Sequence, residues 1–299
     1  MRDRARTPLL VTGLGMMVAA VLLAAAPPRA GAQESAAAQT GTPEAAATRR
    51  VTFQARLTED GAPLESGVEW RVFATAIDAS GQLPLLAEAQ GGSRSFEMTD
   101  GEYYVHAAYG YAGAVKRVVV DGSANEEVFT LNAGALQLNA VTTGEMRIPS
   151  NYLRFDIYSK DIDQRGENQL IARQIKPGEI VPFHAGIYHV VSRYGNLNAE
   201  IRADLRVEPG KVTQATLQHH AARMSFRLVR TAGGDAIADT AWSIITEGGD
   251  VITESSSAFP TFVLAEGDYT AIAKNRDQLY TRDFRVISGV EQDIEVLIE

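Results

Sequence analysis

Five histidines and no cysteine bound the chemistry open to this 299-residue chain. His106, His184, His189, His219 and His220 are the only imidazoles. His184 and His189 flank a Gly-Ile-Tyr pattern, and the pair His219-His220 ends the last strand of the same region. Neighbours on a strand face opposite sides, so that pair chelates a metal only if the strand stops there. Solvated histidines near a domain joint are the expectation, with no metal and no cofactor. Asp161-Ile-Asp163-Gln-Arg165-Gly166-Glu167 begins like a calcium loop. Arg165 falls where a ligand oxygen is wanted and Ala172 holds the closing position, so a hairpin turn is expected instead. No Gly-x-Ser-x-Gly and no local serine-histidine signature is present, so no catalytic residue is assigned and the chain is read as a non-enzyme. Tyr109, Tyr111 and Tyr194 are the candidates for recognition. Aromatics exposed at a loop end stack on a sugar or grip a peptide. The inward parity of Tyr109 and Tyr194 favours another role, capping their own cores or packing between neighbouring domains.

These side chains sit on short strands. From Val51 onward apolar residues alternate with period two, as in Val51-Thr-Phe53-Gln-Ala55-Arg-Leu57, and turn signals such as Asp60-Gly61, Asp100-Gly101 and Asp121-Gly122 punctuate the run. No window carries a long 3.6-residue period. The pattern is written three times. Gly101-Glu-Tyr103-Tyr-Val105 aligns with Gly186-Ile-Tyr188-His-Val190 and Gly267-Asp-Tyr269-Thr-Ala271, at offsets of 85 and 81 residues. Trp70, Phe155 and Trp242 precede the motif at matching places, and Phe96, Phe183 and Phe262 lie just before its glycine. The expected repeat core is therefore Trp70, Tyr103, Phe155, Tyr188, Trp242 and Tyr269. Ala107, Ser192 and Ala273 are small enough to leave room for the large ring opposite. The tyrosine is expected to bury its ring and return its hydroxyl to the backbone, and the leading glycine suits a turn with positive φ. The third copy departs from the pattern, with Asn275-Arg276 where the others have Tyr-Gly.

The first 32 residues read as an export signal. Arg2, Arg4 and Arg6 precede an apolar run from Leu9 to Ala26, and Ala30-Gly31-Ala32 supplies a cleavage pattern. An uncleaved anchor is the rival reading. Residues 33–49 are small and polar, too poor in large apolar groups to offset chain entropy, and read as a disordered linker. Sandwich repeats are then expected over 50–133, 134–220 and 221–299, with joints short enough for a semi-rigid rod. The formal charge of −9 becomes −12 once Arg2, Arg4, Arg6, Arg29 and Asp3 are removed. Such a chain repels phosphate backbones, so nucleic acid is not an expected partner. An outer-membrane barrel is discounted, because two tryptophans are too few for interfacial girdles.

The Gly-x-Tyr-x-Val strand resembles the penultimate strand of immunoglobulin-like sandwiches, with Val105, Val190 and Ala271 where a disulfide cysteine would sit. It is equally similar to the Gly-x-Tyr strand of carboxypeptidase-regulatory-like (prealbumin-like) domains, which occur in tandem on exported bacterial proteins. The resemblance implies an all-β chain of three tandem seven-stranded Ig-like/prealbumin-like β-sandwiches, with binding, spacing or adhesion roles. The functional expectation is a periplasmic or secreted, non-enzymatic interaction protein of the cell envelope. Its partner would be an envelope protein or glycan, with no membrane span once the signal is cleaved. A structural spacer or subunit of an envelope assembly, and a carbohydrate-binding module protein, are the alternatives.

Overall fold

The computed structural model describes residues 47–162 and 165–298. The export signal, nearly all of the leader, and Asp163 and Gln164 of the candidate calcium loop lie outside the described residues. Thr48 and Arg49, assigned above to the linker, are the first residues of a strand.

The described residues form three tandem β-sandwiches of seven strands each. In the first, β1 is Thr48–Arg56, β2 Val68–Ala74, β3 Leu85–Gly91, β4 Arg94–Thr99, β5 Gly101–Tyr109, β6 Ala112–Val120 and β7 Glu126–Thr130. The second has β8 Ala133–Thr142, β9 Leu153–Ile162, β10 Asn168–Ile175, β11 Ile180–His184, β12 Gly186–Tyr194, β13 Glu200–Val207 and β14 Val212–His219. The third has β15 Ala221–Val229, β16 Thr240–Thr246, β17 Val251–Ser255, β18 Thr261–Ala265, β19 Gly267–Asn275, β20 Gln278–Val286 and β21 Gln292–Leu297. Among the described residues there is no helix, and so none long and apolar enough to cross a membrane.

One topology is used three times. A three-stranded sheet of order β4-β1-β7 faces a four-stranded sheet of order β3-β2-β5-β6, and the later copies repeat both orders strand for strand. First and last strands of each copy run parallel, β1 beside β7, β8 beside β14 and β15 beside β21. Antibody constant domains divide their strands differently, with the first two on one sheet. Here the second strand joins the third, fifth and sixth. Alternation explains why these segments choose sandwiches: β1 buries Val51, Phe53 and Ala55 and leaves the residues between them toward solvent.

Register then fixes each core. Trp70 lies opposite Ala107, Phe155 opposite Ser192 and Trp242 opposite Ala273, a large ring against a small residue each time. Around Trp70, the rings of Phe53 and Phe129 lie 5.7 and 5.2 Å away, the latter edge-on. Trp70 donates its indole N–H to the Gly92 carbonyl at 2.8 Å. The Trp242 indole nitrogen is equally buried and has no partner among the described residues.

The motif tyrosines form corners of one design. Tyr103, Tyr188 and Tyr269 each donate their hydroxyl to the carbonyl four residues earlier, on Thr99, His184 and Ala265, at 2.9 to 3.0 Å. The leading glycine has the expected positive φ in two copies, 159° at Gly101 and 156° at Gly267, whereas Gly186 in the second copy does not, a correction to the sequence reading at that position alone.

Candidate functional site: the joints between sandwiches

The recognition candidates converge on the seams between repeats. In the first copy the turn between β5 and β6 is Gly110-Tyr111, and it meets edge strand β11 of the second sandwich. Tyr111 donates its backbone N–H to the Pro182 carbonyl at 2.9 Å. The residue is 46% exposed, yet its ring stacks on Phe183 with centroids 5.2 Å apart and planes 9° from parallel. Beside it, Gly113 donates its N–H to Nε2 of His184 at 3.1 Å. Tyr109 packs on its own core, as its parity requires.

Gly110 is dictated by this seam. Its φ is +60°, and a Cβ there would fall 2.8 Å from Cδ of Pro182. An L side chain would meet both backbone strain and the neighbouring ring.

The second joint reuses the position with other chemistry. The loop after β12 begins at Gly195, φ +75°, where a Cβ would fall 2.8 Å from Cβ of Val263 on β18. Further along, Asn198 takes both ends of a bond pair: its Nδ2 donates to the Tyr269 hydroxyl at 2.8 Å, and its Oδ1 accepts from the Ala265 N–H at 3.1 Å. Leu197 packs against the third core, while Val263 and Ala221 of the third sandwich belong to the second. Thr143 and Ser288 pair hydroxyls at 2.6 Å, and the Arg223 guanidinium lies 5.9 Å from the Tyr152 ring. Tyr194, only 5% exposed, offers no ring to solvent and meets His219 edge-on at 5.9 Å.

His219 corrects the expectation of a solvated imidazole. It is 1% exposed, bonded through Nε2 to the Ser192 hydroxyl at 2.8 Å. Burial drives its pKa from 6.5 down to about 4, with His220 adding a smaller push the same way. A serine-histidine contact therefore exists, but Ser192 is fully buried, so no substrate reaches its oxygen. The other histidines serve separate places. His189 pairs with Asp204 at 2.9 Å, His220 lies 3.8 Å from Glu266, and His106 is half-buried, its pKa lowered chiefly by burial. Among the described residues no three His, Cys, Asp or Glu side chains gather to hold a metal. At the first copy's Asp78 turn the carboxylate accepts from the Ser80 hydroxyl and from the Ser80 and Gln82 amides, which holds its pKa below the usual range.

Sequence reasoning missed Pro182 and Val263, which receive the tips at the joints, and Asn198, which reaches from the second sandwich to Tyr269 and Ala265 of the third. A signal was present: Pro182 and Val263 both stand four residues before the motif glycine. Away from the joints, Ile77, Leu85 and Leu86 are exposed on and beside edge strand β3 of the first sandwich, the leucines at 49% and 53%. The equivalent edges β10 and β17 are more broken or shorter: β10 shifts register three times, and β17 has only five residues.

Comparisons with solved structures return bacterial proteins, pilins among them, at low similarity. The Bacillus anthracis TIE protein is 16% identical with a TM-score of 0.25, over 84% of this chain and 50% of that one. This chain thus spans half the length of that protein. A Streptococcal ancillary pilin is 10% identical with a TM-score of 0.31, over 85% and 99% of the two chains. The minor pilin GBS52 of Streptococcus agalactiae is 15% identical with a TM-score of 0.29, over 57% and 95%. No curated protein matches in sequence. Residues 223–298, which make up nearly all of the third sandwich, match the Rhizobiales growth-associated tandem repeat domain.

Proposed function

We propose that this chain is an exported, non-catalytic interaction protein of the cell envelope that offers the free edge of its first sandwich to an extended protein segment. The observation that carries the reading is the exposed leucine edge of β3. That strand pairs only with β2, so one side of its backbone is free to accept another strand, and Leu85 and Leu86 stand exposed beside it. Export rests on the arginine-led apolar run and the Ala30-Gly31-Ala32 pattern. The match of the third copy to a repeat family described as tandem and growth-associated supports an array of modules over an enzyme.

A second reading, the structural spacer, draws on the joints. Contacts at both seams hold successive sandwiches in set positions, which suits a chain that keeps its partners at fixed separation. Of the three aromatics that are candidates for glycan recognition, Tyr109 and Tyr194 pack on their own sandwiches, and Tyr111, though part-exposed, is taken up by the first joint.

The test uses the chain from Gln33 onward as bait on envelope extract, beside a Leu85→Lys/Leu86→Lys variant. A partner retained by the first bait and lost by the second supports the edge. Equal retention by both removes the edge from the reading, and a blank from both baits leaves the spacer.

A further inference from the structure

We infer that the joint positions left unpaired on the first and third sandwiches are closed to this kind of docking: each carries a charged residue where the working joints have glycine, proline or valine, so a sandwich of this type, including one from a second copy, does not seat there. The inference is independent of what binds along the chain.

A joint has two halves. The donor half is the hairpin tip after the motif strand, with glycine at Gly110 or Gly195. The acceptor half is the residue four before the next motif glycine, Pro182 or Val263. Each glycine approaches its acceptor so closely that a Cβ would lie 2.8 Å from it. Neither half is present in this form at the tip of the third sandwich or at the acceptor position of the first. In the third sandwich the tip position is Arg276, which holds the same left-handed conformation at φ +55° with an exposed side chain. An arginine there accepts backbone strain that glycine avoids, and its Cβ occupies the space an incoming edge strand needs. Asn275, in place of Tyr109 and Tyr194, turns inward and donates to the carbonyls of Ala238 and Asp239 at 2.8 and 3.1 Å. The last hairpin is thereby tied to its own sandwich.

In the first sandwich, the residue four before Gly101 is Glu97. It stands where Pro182 and Val263 receive their tips, exposed and paired with Arg50 at 2.8 Å. A docking tip would have to strip water from this ion pair and from the carboxylate. A head-to-tail contact that does not close on itself propagates into fibres, and a charge at each of these positions blocks it.

One alternative makes the opposite prediction. Arg276 and Glu97 have opposite charges, so they could instead draw two copies together. Transplanting both residues into a working joint separates the two ideas. Gly195→Arg and Val263→Glu are made singly and together in the full chain, with Gly110→Arg as an independent variant away from the buried Val263. Amide exchange on β18 and the Leu197–Ala199 loop reads the second joint, with β2 and β5 as the internal control for folding; exchange on β11 reads Gly110→Arg, with β16 and β19 as its control. Closed positions require each single variant to speed exchange at its joint by about tenfold or more, and the double variant to stay open. Wild-type chain should sediment as a monomer up to about 100 µM, far below the millimolar effective concentration that a short tether supplies. Recovery of protection in the double variant, unchanged exchange in Gly195→Arg and Gly110→Arg, or wild-type association that Glu97→Arg abolishes would each overturn the inference.

Discussion

Replacing each buried tryptophan by phenylalanine should give unequal results in the first and third sandwiches. Trp70 and Trp242 occupy the same register position, each fully buried and facing an alanine. The second copy already has Phe155 there, so the fold accepts the smaller ring. The packing loss is common to both sites, about 1–2 kcal/mol for the lost area and residual cavity. Hydrogen bonding separates them. Trp70→Phe also removes the 2.8 Å bond to Gly92 and strands that carbonyl, a further cost of about 1–3 kcal/mol. Trp242→Phe removes a buried N–H that has no acceptor among the described residues, and regains a similar amount. Trp70→Phe is expected to destabilise its sandwich by about 2–5 kcal/mol, and Trp242→Phe to lie within about 1 kcal/mol of wild type. Three linked sandwiches do not melt as one two-state unit. The assay is therefore amide exchange under native conditions, read separately on β2 with β5 and on β16 with β19. Equal losses at the two sites would refute the reasoning, because packing alone would then account for both.

Acidification should weaken the second sandwich through His219. Its folded pKa lies near 4 against an ordinary 6.5, so the unfolded chain binds a proton in this window that the folded chain refuses. Stability is therefore complete above about pH 6.5, falls by about 3 kcal/mol as pH drops to 4, and loses nothing more from this group below that. His219→Gln, which does not titrate, should flatten that part of the pH profile of β12 and β14 exchange; an unchanged profile would rule the histidine out. Tyr269→Phe and Tyr103→Phe should differ in reach. Each loses a corner bond worth about 1 kcal/mol, but Tyr269 also accepts from Asn198 across the second joint. Exchange at Leu197–Ala199 should rise in the first variant and stay unchanged in the second, and equal exchange in both would mean that the Asn198 contact does not hold the joint.

Much of the fold is legible in the residues because its causes are local. A period of two selects which face of a strand is buried, so Tyr103, Val105 and Ala107 could be placed on one side of β5 before any partner strand was known. Repetition of Gly-x-Tyr at nearly constant offsets is a property of the chain alone, and it implies three copies of one unit. Parity also pointed Tyr194 inward, though it could not say that His219 would cover its ring. The joints lie beyond this kind of reasoning. Pro182, Val263 and Asn198 are unremarkable by type, and they matter because a hairpin tip of one sandwich reaches an edge strand of the next. That juxtaposition depends on how two folded bodies pack; the shared place of Pro182 and Val263 four residues before the motif glycine marks the position but not the contact made there. Burial of the Ser192–His219 pair has the same origin, since a histidine at a strand end is solvated or covered according to what packs over it. The replacement of Tyr-Gly by Asn275-Arg276 was visible from the start as an irregularity. Only the packed chain showed what the change means: Gly110 and Gly195 press on the Pro182 and Val263 side chains of the next sandwich, whereas Arg276 stands exposed.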